Sequence, residues 1–191
     1  MEEWIEGYLG RLKDVIDAIP AAQVAEVIED LKGALREGRR VFAFGNGGSG
    51  TTSSHLVMDL GKGASDIVGE RFKIISLNEA VGWMTALAND YSYADVFVRQ
   101  LQNYAEPGDV VLALSVSGSS ENVVRAVRWA NENGLRTVAL VGGARGPLAD
   151  LADNAVVIES QHCGLVEDGH MIVVHLLCYA FMDNPDILEE G

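Results

Sequence analysis

The stretch Asp109-Val-Val-Leu-Ala-Leu-Ser-Val-Ser-Gly-Ser-Ser-Glu-Asn-Val-Val124 decides the fold. Val110 to Leu114 is a short continuous apolar run, as expected of a strand buried on both faces. Ser115, Ser117, Ser119 and Ser120 then crowd a turn in which Gly118 gives the backbone its freedom, and a helix follows. A helix that begins here directs unpaired N–H groups and the positive end of its dipole into the turn. Such a turn holds a phosphate without a lysine. The ordinary alternative, a serine N-cap, needs only one hydroxyl, and four within six residues favour an anion cradle.

Working outward, strand and helix alternate from residue 39 onward. Residues 40–44, 72–77, 137–141 and 155–158 supply four more apolar runs. Helical patterns occupy about 51–60, 80–88, 93–105, 120–133 and 167–182, with Gly134 as the C-terminal stop of the fourth. Five apolar strands separated by helices predict an α/β fold: a doubly wound, five-stranded parallel sheet with helices on both faces. Ligands of such sheets sit at the carboxyl ends of the strands, where the turns 45–49 and 115–120 both fall.

Before this unit, two amphipathic patterns meet at Pro20, Trp4 to Ile19 and Ala21 to Leu35, with Gly38 closing the second. They predict an N-terminal helical hairpin over 1–38 whose apolar face packs on the main unit or on another subunit. Residues 39–182 form the ligand-binding domain, and 183–191 an acidic tail. Trp4, Trp83 and Trp129 lie on apolar helical stripes and read as packing residues.

Hydrophobic content of 48% and charged content of 22% are those of a soluble globular domain. A net charge of −14 excludes a nucleic-acid surface and repels an anionic substrate at long range, so local donors must hold it. Cys163 and Cys178 are too few for a disulfide framework and read as reduced, partly buried thiols of a cytoplasmic protein. No signal peptide and no apolar run of spanning length are expected.

His55 and Asp59, four apart, share a helix face, as an acid–base pair or metal ligands would. Glu167, His170 and His175 lie on the last helix. His175 stands about 80° around the axis from Glu167 and about 140° from His170. One site therefore does not use both histidines, and spacing leaves the choice open.

Five motifs in this order, FGNGGS at 44–49, HLVMDL at 55–60, ALAND at 86–90, LSVSGSSENV at 114–123 and VEDGHMIVVH at 166–175, resemble the sugar isomerase (SIS) domain. Within it they are most similar to the phosphoheptose isomerase branch, over about residues 21–182. The resemblance implies a homotetramer with active sites between subunits and a phosphorylated sugar as substrate, sedoheptulose 7-phosphate first. By the same resemblance the substrate rests on Asn46, Gly47, Gly48, Ser49, Asn89, Asp90, Ser115, Val116, Ser117 and Ser120, with Asp59 and Glu167 beside them. The family's metal or acid–base positions fall on His55, Asp59, Glu167 and His175. Two imidazoles and two carboxylates would suit one tetrahedral zinc ion per subunit. Asp59 and His175 would be the catalytic pair.

Three positions depart from the branch, which has Glu at Asp59, Gln at Glu167 and Arg at Gly63, with Lys62 beside the last as a stand-in. Asp59 is one methylene shorter, and a displacement of about 1 Å costs on the order of 10²-fold in rate. A non-catalytic phosphosugar-binding or regulatory member of the superfamily, including the type that binds the bacterial replication initiator, is the alternative reading.

Overall fold

Period-two alternation along the central strands builds two cores at once. In β1 (Arg40–Gly45), Val41 and Ala43 enter one cluster while Phe42 and Phe44 enter the other. In β3 (Val110–Ser115), Val110, Leu112 and Leu114 divide from Val111 and Ala113 in the same way. Both strands are buried along nearly their whole length, so both sheet faces must be covered by helices. The computed structural model describes residues 1–189; the last two residues of the expected tail, Glu190 and Gly191, lie outside the described residues.

β2 (Lys73–Ser76), β4 (Arg136–Gly142) and β5 (Asn154–Ile158) complete a five-stranded, all-parallel sheet of order β2-β1-β3-β4-β5. The expected α/β architecture is therefore present. The chain leaves β1 toward one edge through β2 and returns to build the other edge from β3, which puts the switch point between β1 and β3. The crevice beyond the carboxyl ends of two such strands is where ligands of doubly wound sheets bind.

One face carries α1 (Glu2–Asp17), α2 (Ala21–Glu37), α3 (Gly48–Met58), the short α4 (Ser65–Val68) and α9 (Cys163–Met182). The other carries α5 (Val81–Asp90), α6 (Val98–Tyr104), α7 (Glu121–Glu132) and α8 (Gly146–Leu151). The N-terminal hairpin divides its loyalties. α2 buries Val24, Val27, Leu31, Ala34 and Leu35 in the main core, whereas α1 buries only Val15 and leaves Ile5, Leu9 and Ile16 exposed. Trp4, expected to pack, is 60% exposed.

The expected helix over 51–60 begins earlier, at Gly48, and passes at Asp59 into a wider π-helical segment, Asp59–Ala64. A π segment inside a helix inserts a residue into the turn and re-aims side chains, a distortion common at functional sites. The expected helix over 167–182 likewise starts four residues earlier, because His162 Nδ1 accepts the Leu165 N–H at 3.4 Å and acts as the N-cap. α9 has a mean hydropathy of 1.4, enough by length and composition alone for a membrane span. Half of its most apolar stretch is buried, and it packs against α1, α2, α3 and the sheet as a core helix.

Candidate functional site

The turn after β3 leads into α7 through Ser120, which takes an extended N-cap conformation but makes no side-chain cap bond. Its backbone carbonyl instead takes the Val123 and Val124 N–H groups, both at 3.0 Å. The hydroxyl is left facing Ser115 Oγ at 3.5 Å. Ser115 Oγ accepts the Gly118 N–H at 3.1 Å, and Ser117 Oγ accepts the Ser119 N–H at 3.2 Å, so the hydroxyls brace the turn from within. Gly118 (φ 63°) is required here: a Cβ at this position would stand 1.8 Å from the Arg145 carbonyl oxygen. The turn is pinned behind by the Leu148 N–H on the Gly118 carbonyl at 3.0 Å and the Gly142 N–H on the Val116 carbonyl at 3.1 Å.

α3 also begins without a side-chain cap, at Gly47. The uncapped starts of α3 and α7 and the first turn of α9 bound a cavity of about 250 Å³ lined by Asn46, Ser49, Leu114, Ser115, Val116, Ser117, Ser120, Cys163 and Glu167. The N-terminal ends of α3 and α7, neither with a side-chain cap, border it, and their dipoles favour an anion. Gly47 and Gly48, expected at the substrate, are not among its lining residues. A Cβ on Gly48 would lie 2.2 Å from a Glu167 carboxylate oxygen, so this glycine makes room for that side chain.

Asn89 and Asp90 close α5 and hydrogen bond to one another at 2.9 Å, both exposed and outside the cavity lining. Lys62 pairs with Asp66 at 3.5 Å and is 78% exposed, on the outside of the π segment. Cys163 and Leu114 complete the lining, although the sequence reading placed neither at the site. Cys163 is exposed, contrary to expectation, and the early start of α9 is what carries it there. The signal for it was His162 as a cap, with Cys163 and Glu167 one turn apart.

The two histidines of α9 separate cleanly. His170 is 1% exposed within the core stripe, and neither ring nitrogen has a partner of regular geometry. Burial pushes its pKa down to about 4, with the Val141 backbone opposing the shift. His175 is exposed on the other side of the helix, and its Nε2 meets His55 Nε2 at 3.1 Å. Asp59 Oδ2 lies 3.1 Å from the same His55 nitrogen. One N–H cannot serve two acceptors in different directions. The three ligand atoms lie within 4.8 Å of one another, an arrangement that can hold a metal ion.

Tetrahedral zinc with bonds of about 2.0–2.1 Å spaces its ligand atoms about 3.3 Å apart. The two observed separations of 3.1 Å fit such an ion with little movement. Glu167 is apart from this trio, lying over Gly48; eight residues separate it from His175, about 12 Å along the helix axis. A second, open hollow of about 450 Å³ adjoins His175, lined by Ile172, Leu176, Tyr179, Ala180, Asp183 and Asn184.

The profile of the SIS domain matches residues 3–142. This chain belongs to the SIS domain family. A phosphoheptose isomerase of Geotalea daltonii is 36% identical over 156 residues, covering 82% of this chain and 81% of that protein. A phosphoheptose isomerase of Geobacter metallireducens is 34% identical over 201 aligned residues, covering 100% and 98% respectively. Among solved structures, a phosphoheptose isomerase from Francisella tularensis superposes with a TM-score of 0.87 at 25% identity, covering 95% of this SIS chain and 96% of its own.

Proposed function

We propose that this SIS protein is an aldose–ketose isomerase of phosphorylated sugars, with sedoheptulose 7-phosphate as its ketose substrate. The observation that carries the reading is the convergence of His55, Asp59 and His175 on one point, on helices that also frame an uncapped anion cradle. A phosphosugar sensor needs the cradle alone. The trio adds the means of moving a proton.

Ser115, Ser117, Ser120 and the start of α7 hold the phosphate, with Asn46 and Ser49 beside it. Gly47, Gly48 and Val116 shape the backbone around it, and Asn89 and Asp90 belong to the sugar end. Isomerisation moves one hydrogen from C1 to C2 and leaves the carbon skeleton unchanged. An Asp59 carboxylate oxygen takes the C1 proton, giving the enediol, and the same carboxyl, after exchange with solvent, returns a proton to C2. The O1 proton departs as the aldehyde forms, and O2 gains one; His175 is the group that trades these oxygen protons. A zinc ion held by His55, Asp59 and the His175 nitrogen that faces His55, one per subunit, would polarise the substrate carbonyl and leave the other His175 nitrogen for the oxygen protons. Glu167 would join such a set only from a different direction than the trio in its own chain.

The active protein is a homotetramer in the cytoplasm, with residues 1–38 and the outer face of α9 as contact surfaces. The exposed apolar residues of α1, together with Leu176 (45% exposed) and Tyr179 (49% exposed) beside the catalytic His175, support that reading. Each site would then lie between subunits.

The test is turnover of sedoheptulose 7-phosphate and shorter sugar phosphates by zinc-loaded protein, with metal content measured in parallel. Stoichiometric zinc lost in a His55→Ala, His175→Ala double variant, together with turnover, is the expected result. Tight phosphosugar binding with neither zinc nor turnover on any sugar would instead make this a binding protein.

A further inference from the structure

Asn46 lines the cavity at the end of β1, and its amide is not free to turn. Asn46 Nδ2 donates to Asn122 Oδ1 at 2.9 Å, and Asn122 Nδ2 donates to Asn46 Oδ1 at 2.9 Å, a closed amide pair across 76 residues of sequence. Asn122 is 3% exposed in the first turn of α7 and does not line the cavity. Tyr93, on the short 3-10 turn Tyr93–Asp95, donates its hydroxyl to the same Asn46 Oδ1 at 3.0 Å.

A closed amide pair looks the same when both amides are turned over, so it does not by itself fix which end of Asn46 faces which way. The backbone breaks the tie. Val123 N–H, which only donates, reaches Asn122 Oδ1 at 3.0 Å while sharing its hydrogen with the Ser120 carbonyl. That sets the Asn122 oxygen toward Val123 and its amino group toward Asn46. The Asn46 oxygen must then face Asn122, and its two lone pairs are taken by Asn122 and Tyr93. Of the two Asn46 N–H groups, one is spent on Asn122 and one is left.

We propose that Asn122 is a positioning residue that transmits the polarity of the Val123 N–H into Asn46, so that Asn46 meets the substrate only as a hydrogen-bond donor. Its complement is an acceptor-only group, a phosphate or ionised sugar oxygen. In a protein of net charge −14 this guards the cavity against presenting a carbonyl oxygen to an anion. The inference rests on the reading of the cavity as a phosphosugar site, and it deepens that reading by naming what fixes the site's donor pattern.

The relay is first read without ligand, from the side-chain amide signals of Asn46 in a ¹⁵N-labelled protein. In the unchanged protein one Asn46 amide proton is bonded to Asn122 and slow to exchange, the other fast. Asn122→Leu keeps the volume but removes both the acceptor for Asn46 Nδ2 and the donor to Asn46 Oδ1, while the Val123 N–H keeps the Ser120 carbonyl, and the two Asn46 protons become alike. Sedoheptulose 7-phosphate is then titrated, and shifts only the fast proton in the unchanged protein. KM for this sugar rises at least about tenfold in Asn122→Leu, a change that adds no charge, with kcat within twofold, because the contact is one the ground and transition states share. Tyr93→Phe, a surface change that removes only one of the two donors, raises KM by a smaller factor. Partial misfolding would lower kcat by reducing active enzyme and leave KM alone. Asn46 amide protons that stay distinct in Asn122→Leu, or an unchanged KM in that variant, overturn the relay. If the Asn46 protons behave as described but the unchanged protein binds no sugar phosphate, the phosphosugar reading is what has failed, and the donor role drawn from it falls with it.

Discussion

Asp59 concentrates the chemistry of the site in a single side chain. Its Oδ2 is turned toward His55, at the first residue of a π-helical segment that re-aims it, which leaves the other oxygen for substrate. Removing the charge while keeping the shape separates holding from reacting. Asp59→Asn is expected to lower kcat by roughly 10²–10⁴-fold, the usual worth of a positioned acid–base group, while sugar-phosphate binding persists. Steady-state kinetics beside a thermal-shift titration checks both halves. The residue types of this trio were legible in the sequence: His55 and Asp59 share a face by spacing alone. Spacing did not choose the partner on α9, because a helical period allows His170 or His175 equally; the family resemblance pointed to His175, and the packing of α9 on β4 buries the other.

At the level of elements, the cradle depends on a turn wedged against the loop before α8. Gly118→Ala would drive a methyl group into the Arg145 carbonyl and displace the serines. Phosphosugar affinity is expected to fall at least tenfold, read by calorimetry, with the sheet left intact by circular dichroism. α9 carries a second testable consequence through His170, whose pKa is pushed down to about 4 from 6.5 by burial. Above pH 6.5 the ring is neutral folded or unfolded and its contribution is constant. Below that, the unfolded chain takes up a proton that the folded chain refuses, so stability is lost as pH falls toward about 4, by roughly 3 kcal/mol at most. Denaturant melts across that window are expected to show this slope, and His170→Leu to flatten it. Strands and most helices were readable because apolar runs and turn residues mark them. The early starts of α3 and α9 and the whole of α8 were not, since glycines open the first, a histidine caps the second, and α8 is only a six-residue turn of helix.

For the whole molecule, the order β2-β1-β3-β4-β5 is what brings turns 70 residues apart into one crevice at the switch point. Alternating strands and helices made that sheet legible from the sequence. Assembly was expected only from the family resemblance, because an amphipathic helix shows that it has an apolar face without showing what covers it. α2 covers its own face, and α1 and the outer side of α9 remain open. If those surfaces join subunits, Leu176→Asp with Tyr179→Asp will convert a tetramer to smaller species in light scattering and abolish turnover, because His175 adjoins the same hollow. A monomer before substitution would contradict the assembly.

The central claim is proton transfer on a bound sugar phosphate. It is tested most directly by incubating the zinc-loaded protein with sedoheptulose 7-phosphate in deuterium oxide and following C1 and C2 by NMR. Deuterium entering these positions alongside aldose formation, and absent in Asp59→Asn, is the predicted result. A sugar phosphate that binds, shifts the melting temperature and keeps every carbon-bound proton would contradict it.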